Sequence, residues 1–278
     1  MSLNGWPILF ALFIWWFSTG VILYLDGLPR RTFRLSMQVM TVAAGLALVA
    51  LALASNDDSV SGAYIAFTCA LFVWGWHEMS FLMGFVTGPR TSECPEGATG
   101  LRRAWYATET ILYHELAIAV TAIIIAAIST GPNRVGLWAF LVLWVLRISS
   151  KLNVFLGVPN LAEEWLPEHL VYLKSYFRKR PMNLFFPFAV TISTVLTAVL
   201  VLWAADPQAT AAQATGWTLI ATLLGLAVLE HWILVLPIPF AAIWSWGLAS
   251  RQAKSEPPSS DTHNSTTSPN RLSPAAAG

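Results

Sequence analysis

Residues 104–117 read AWYATETILYHELA, and the kind of fold this chain adopts turns on how that stretch is interpreted. It opens an apolar run that continues to Ile128, yet it carries Glu109, His114 and Glu115 where a membrane helix would carry leucines. Two other apolar runs hold the same pair of residue types, His77-Glu78 in VWGWHEMSFLMG and Glu230-His231 in LAVLEHWILVLP. Ionisable groups inside a bilayer are costly, so they face the interior of a helix bundle and take partners there.

The rest of the sequence supports a membrane setting. Of 278 residues, 56% are hydrophobic and only 11% charged, with a mean hydropathy of +0.59. A soluble domain carries about 25% charged residues. The net charge of +1 comes with no basic stripe suited to nucleic acid. Cys69 lies in an apolar run and Cys94 in a loop, so no disulfide framework is expected. The N-terminus, MSLNGWPILF, has no Lys or Arg and no small-residue cleavage site, which predicts that the first apolar run is retained.

The apolar runs predict an all-α, polytopic integral membrane protein with seven transmembrane helices in residues 1–250. They cover approximately Pro7–Leu25, Leu35–Ala54, Gly62–Val86, Ala104–Ile128, Val135–Leu156, Leu184–Ala204 and Gly216–Trp246, the last bent at Pro237 and Pro239. Lys and Arg alternate by loop. Arg30, Arg31 and Arg34, then Arg90, Arg102 and Arg103, then Lys174, Arg178, Lys179 and Arg180, then Arg251 and Lys254 fall on one side, against Arg134 alone on the other. The positive-inside rule therefore puts the N-terminus outside and the C-terminus in the cytoplasm. Residues 157–180 form a long loop with a partial apolar stripe and a basic end, which predicts an amphipathic helix on the cytoplasmic membrane surface. Its acidic part holds Glu163, Glu164 and Glu168 beside His169. Residues 251–278 are polar and Pro/Ser/Thr-rich, a disordered cytoplasmic tail by composition.

On this topology His77, Glu78, His114, Glu115, Arg147, Lys151, Glu230 and His231 fall in one slab between mid-membrane and the cytoplasmic face, with Glu109 nearer the interface. Arg147 and Lys151, four apart, share a helix face. Four explanations fit. The groups can form an ion-pair network that locks the helices. His77, His114 and His231 can ligate a metal ion, although the Glu-x-x-His spacing of di-iron bundles is absent from these segments. A neutral histidine can ligate a tetrapyrrole in a pocket lined by Trp15, Trp16, Trp74, Trp76, Trp144 and Trp232. Buried Glu and His can also conduct protons or ions. Trp6, Trp105, Trp138, Trp203, Trp217, Trp244 and Trp246 fall near helix ends, as an interfacial aromatic belt would.

Five segments, WWFSTGVILYLDGLPRRTFR, HEMSFLMGFVTGPR, ATETILYHELAI, KLNVFLGVPNLAEEWLPEHL and EHWILVLP, together resemble the PuhE family of photosynthetic-complex assembly proteins of phototrophic bacteria, across residues 6–247. The resemblance implies a multi-pass protein of the bacterial inner (intracytoplasmic) membrane. It implies action on assembly of the reaction centre and core light-harvesting complex, or on bacteriochlorophyll supply. Partners would be reaction-centre or antenna subunits or pigment-synthesis proteins. It supplies no ligand or catalytic residues, so the His/Glu site rests on bilayer energetics. The alternatives are a membrane metal-dependent oxidoreductase of bacteriochlorophyll metabolism and a small-ion transporter.

Overall fold

The computed structural model describes residues 5–161, 166–237 and 240–252. The described residues contain helices and no strand. In order, the α-helices are α1 (Gly5–Gly27), α2 (Phe33–Ala54), α3 (Val60–Leu82), α4 (Gly100–Glu109), α5 (Leu112–Ile128), α6 (Val135–Leu156), α7 (Phe185–Ala204), α8 (Ala211–Ile233) and α9 (Ser245–Gln252). Among the described residues, six helices are long and apolar enough to cross a membrane: α1, α2, α3, α6, α7 and α8. The pair α4 and α5 makes a seventh if it is counted as one bent span.

Helix α3 is the axis of the bundle. It buries a nearly continuous surface that includes Phe67, Ala70, Val73, His77, Glu78 and Phe81. The main core joins it to Leu51 of α2, Ile118 and Ile125 of α5, Phe140 of α6 and Leu219 and Leu223 of α8. Helix α2 shows the other side of the same economy. Its exposed residues Leu35, Val39, Val42, Leu46, Val49 and Leu53 are as apolar as the ones it buries. An apolar outer face of that length suits lipid. Local signals set the helix starts. The Ser59 hydroxyl accepts from the Gly62 amide at α3, and Thr210 and Gln213 form a capping box at α8. Asn183 starts α7, accepting from the amides of Phe185 and Phe186 while its own amide group holds Asn153 and Gly157.

Two of the expected helices need correction. The continuous helix expected over Ala104–Ile128 is broken at Thr110-Ile111, and its two halves meet at 67°. The cause is the chain after α3. That helix ends in a left-handed Gly84 (φ +79°), with Phe85 N–H closing on Ser80 O as in a Schellman turn. The following residues then press into the next span. The Arg90 amide donates to Glu109 O and the His114 amide donates to Thr87 O, replacing helical bonds of an unbroken span. Gly88 makes this possible, because a Cβ there would sit 2.0 Å from Glu109 O.

The helix expected over Gly216–Trp246 stops at Ile233. Asn160 takes its free carbonyls, donating from its side chain to Ile233 O at 2.8 Å and to Leu236 O. Pro237 follows directly, and Pro239 lies outside the described residues. The chain then returns as a short 3-10 turn and α9, packed on α1. Trp244 is buried there, donating to Trp16 O, and the Trp246 ring covers Gly20. These two tryptophans close a helix contact and do not form a belt.

Within the loop over residues 157–180, Glu168–Tyr176 form a 3-10 segment in which Tyr176 is buried and Leu170 and Leu173 pack with Phe81 and Ile111. Glu163 and Glu164 lie outside the described residues, as do residues 253–278.

Candidate functional site

The intramembrane polar groups divide into three sets. The first ties α6 to its neighbours. Arg147 donates to Glu78 of α3 at 2.7 Å, and Lys151 pairs with Glu115 of α5 at 2.6 Å. The Trp144 indole donates to the second Glu115 oxygen at 2.9 Å. Trp144, Arg147 and Lys151 lie three and four apart, so one face of α6 addresses both partners. Glu230 of α8 is a further carboxylate whose charge reaches Arg147. Three carboxylates thus surround two cations. The cluster opens toward the side of the bundle, since the Arg147 side chain is 43% exposed and that of Glu78 only 12%.

The second set is His77 and His114, whose ring centres lie 6.3 Å apart. The His77 Nε2 meets the Thr121 hydroxyl at 3.0 Å. Thr121 is two helical turns beyond His114 on the same face of α5. His77 Nδ1, both nitrogens of His114 and Glu78 Oε1 are buried and make no hydrogen bond to the protein. The walls are aromatic: Phe81 stands 4.8 Å from His114, and Trp76 and Phe140 flank His77.

The third set is His231, which is fully committed. Its Nε2 meets the Ser149 hydroxyl of α6 at 2.8 Å, and its Nδ1 meets Ala227 O of its own helix at 2.7 Å. The three histidines therefore do not converge. Among the described residues no three His, Cys, Asp or Glu are grouped so as to hold a metal ion. Glu109 also stands apart. It pairs with Arg90 at 2.9 Å, with the Arg90 guanidinium over Tyr106, at the loop end of the bent span. The Glu109 bond holds the Arg90 guanidinium above its ordinary value.

The tryptophans disperse too. Trp15 and Trp16 meet the 3-10 turn before α9, Trp74 packs on Phe140, Trp76 donates to Thr41, and Trp232 packs on Phe186. A cavity of about 170 Å³ is lined by Ile8, Val201, Ala204, Thr218, Ala221 and Thr222, away from all three histidines.

A family described as a protein of unknown function, DUF3623, matches residues 1–255. The chain belongs to the DUF3623 family. A relative from Rhodobacter capsulatus, described as an uncharacterized 30.4 kDa protein in the puhA 5′ region, is 40% identical over 261 residues, covering 91% of this chain and 94% of that protein. No solved structure matches. In this DUF3623 protein several working residues carry little sequence signal. Thr121 and Ser149 become visible only by counting helix faces from His114 and Arg147. Asn153, Asn160 and Asn183 read as ordinary polar residues near helix ends. Arg90 and Arg103 read as loop charges, yet Arg103 is buried. His169 packs on Gly84, and burial, aided by the charge of Arg30, holds it below the ordinary histidine value.

Proposed function

We propose that this DUF3623 protein assists biogenesis of the photosynthetic apparatus in the inner membrane of phototrophic bacteria. It would act on assembly of the reaction centre and core antenna or on bacteriochlorophyll supply. The observation that carries this reading is the relative, 40% identical, named for the puhA 5′ region. The resemblance of five segments to the PuhE family agrees with it. The basic loops favour an N-terminus outside and a C-terminus in the cytoplasm. The loops after α3 and α6 meet at one end. His169 lies on Gly84, the Ser175 hydroxyl accepts from the Cys94 amide, and the Tyr176 hydroxyl donates to Ser92 O. In this reading the interhelical ion pairs set the bundle, and the interlocked loops form the face offered to partner subunits.

Deleting the gene tests the reading. Phototrophically grown cells should lose much of the reaction-centre and antenna absorption, and the wild-type gene supplied in trans should restore it. Unchanged pigment–protein bands would overturn it.

A second reading rests on His77 and His114. Imidazoles with free nitrogens can ligate a metal or a tetrapyrrole, as a pigment carrier or a membrane oxidoreductase would require. It calls for a stoichiometric metal or pigment in protein purified from phototrophic cells, lost in the His77→Ala/His114→Ala double variant. Protein without either would remove it.

A further inference from the structure

The best-built charged site outside the His/Glu network lies where α4 starts, α6 ends and α7 begins. Arg103 is buried there, its guanidinium donating to Tyr176 O and to Phe155 O at 3.4 Å while lying 4.3 Å over the Phe155 ring. The charges of Arg178 and Arg180 both reach it. Backbone bonds fix those two residues, from the Arg178 amide to Val154 O and from the Arg180 amide to Val158 O. The Arg180 stem lies against Gly157, a left-handed residue (φ +124°) where a Cβ would come within 2.8 Å of it. The ion pairs Arg90–Glu109, Arg147–Glu78 and Lys151–Glu115 involve none of these three arginines, so among the described residues no carboxylate is paired with them.

Part of this cationic charge answers the C-terminal carbonyls of α6, as a helix dipole favours. Of the three guanidinium groups only that of Arg103 bonds an α6 carbonyl, Phe155 O, and Lys179 adds a further cation between the other two. The immediate surroundings are apolar and outward-facing. Leu101 is 91% exposed, Leu184 88% and Phe188 67%. A group of cations followed within one to two helical turns of chain by an exposed leucine and phenylalanine is how a chain meets the boundary between headgroups and acyl chains.

We propose that Arg103, Arg178 and Arg180 form a binding site for the phosphate of an anionic phospholipid, whose acyl chains run along Leu184 and Phe188 of α7. Arginine suits this ligand because its planar donors match phosphate oxygens in pairs. Two carbonyls hold the Arg103 guanidinium, and main-chain bonds fix where the Arg178 and Arg180 side chains start.

Native mass spectrometry of the detergent-purified full chain tests it, with phosphatidylglycerol and phosphatidylcholine as competing probes. The wild type should retain phosphatidylglycerol preferentially. The preference should fall about fivefold for each cation removed in Arg178→Gln and Arg178→Gln/Arg180→Gln. Arg30→Gln/Arg31→Gln removes equal charge elsewhere and should leave the preference unchanged. Millimolar inorganic phosphate should not displace the lipid. Equal retention of the two lipids would overturn the proposal, as would an equal loss in the Arg30/Arg31 variant. Displacement by phosphate would assign the site to the free ion and overturn the lipid. Circular dichroism of each variant checks that the helices persist.

Discussion

His231 and His114 start from the same signal, a histidine beside a glutamate in an apolar run, and end in opposite states. His231 has both ring nitrogens committed, one to Ser149 across the helix interface and one to Ala227 O below it. His114 has neither committed, although it is completely buried. The first is a clasp between α8 and α6. The second, with His77 and the free oxygen of Glu78, is reserve hydrogen-bonding capacity inside an aromatic wall. An unpartnered buried polar group costs about 1–3 kcal/mol, so a fold holds one for a reason beyond packing. The difference arises in the backbone. His231 lies within the unbroken run of α8, where a carbonyl four residues earlier is available. His114 follows the break between α4 and α5, its amide is drawn to Thr87 O, and its ring is left facing His77.

Four experiments sharpen or break that contrast. Lys151→Ala should have the largest effect. It leaves Glu115 charged beside His114 without its 2.6 Å partner, a loss of about 3 kcal/mol, the low end for breaking a buried pair because both groups are partly exposed. Chemical unfolding in micelles reads this loss. A double-mutant cycle with Glu115→Gln should recover most of it. Next, His231→Leu should destabilise by about 1–3 kcal/mol, since it strips the Ser149 hydroxyl of its partner. His114→Leu, similar in volume, should cost close to nothing or stabilise, because no protein hydrogen bond is lost. Comparable losses for the two leucine variants would erase the contrast.

The smallest effect concerns pH. Burial and Arg30 hold His169 below its ordinary value of 6.5, so folding favours its neutral form. Its contribution is complete above the unfolded value and is lost as pH falls through the lowered folded value. Protection against hydrogen exchange over residues 168–176, taken relative to the intrinsic amide rate at each pH, should therefore be weaker near pH 5 than near pH 7.5, and His169→Gln should remove that difference.

Much of the fold was legible because lipid demands long apolar helices, and α1, α2, α3, α6 and α7 lie within a few residues of the runs that mark them. The breaks were not, because they depend on distant segments. Nothing in ATETILYHELA announces a 67° bend. The break is made by Gly84, Gly88 and Thr87, some 25 residues earlier in the chain, and only their packed arrangement shows which carbonyls they take. The stop at Ile233 likewise depends on Asn160, far away in sequence. At the site, charge pairs were accessible from helix faces, as Arg147 and Lys151 show. Convergence was not, because three His/Glu pairs in one slab can face three different neighbours. His231 and Glu109 illustrate this, each drawn to a separate partner.

The most direct test of the account is one purification from phototrophically grown cells, with protein partners, metal and pigment measured on the same sample. The account predicts co-purifying reaction-centre or antenna subunits, or pigment-synthesis proteins, with the association kept in His231→Leu protein that still folds. A protein that carries no such partner and instead holds stoichiometric metal or tetrapyrrole, lost in the His77→Ala/His114→Ala variant, would contradict it and make the imidazole pair the working centre.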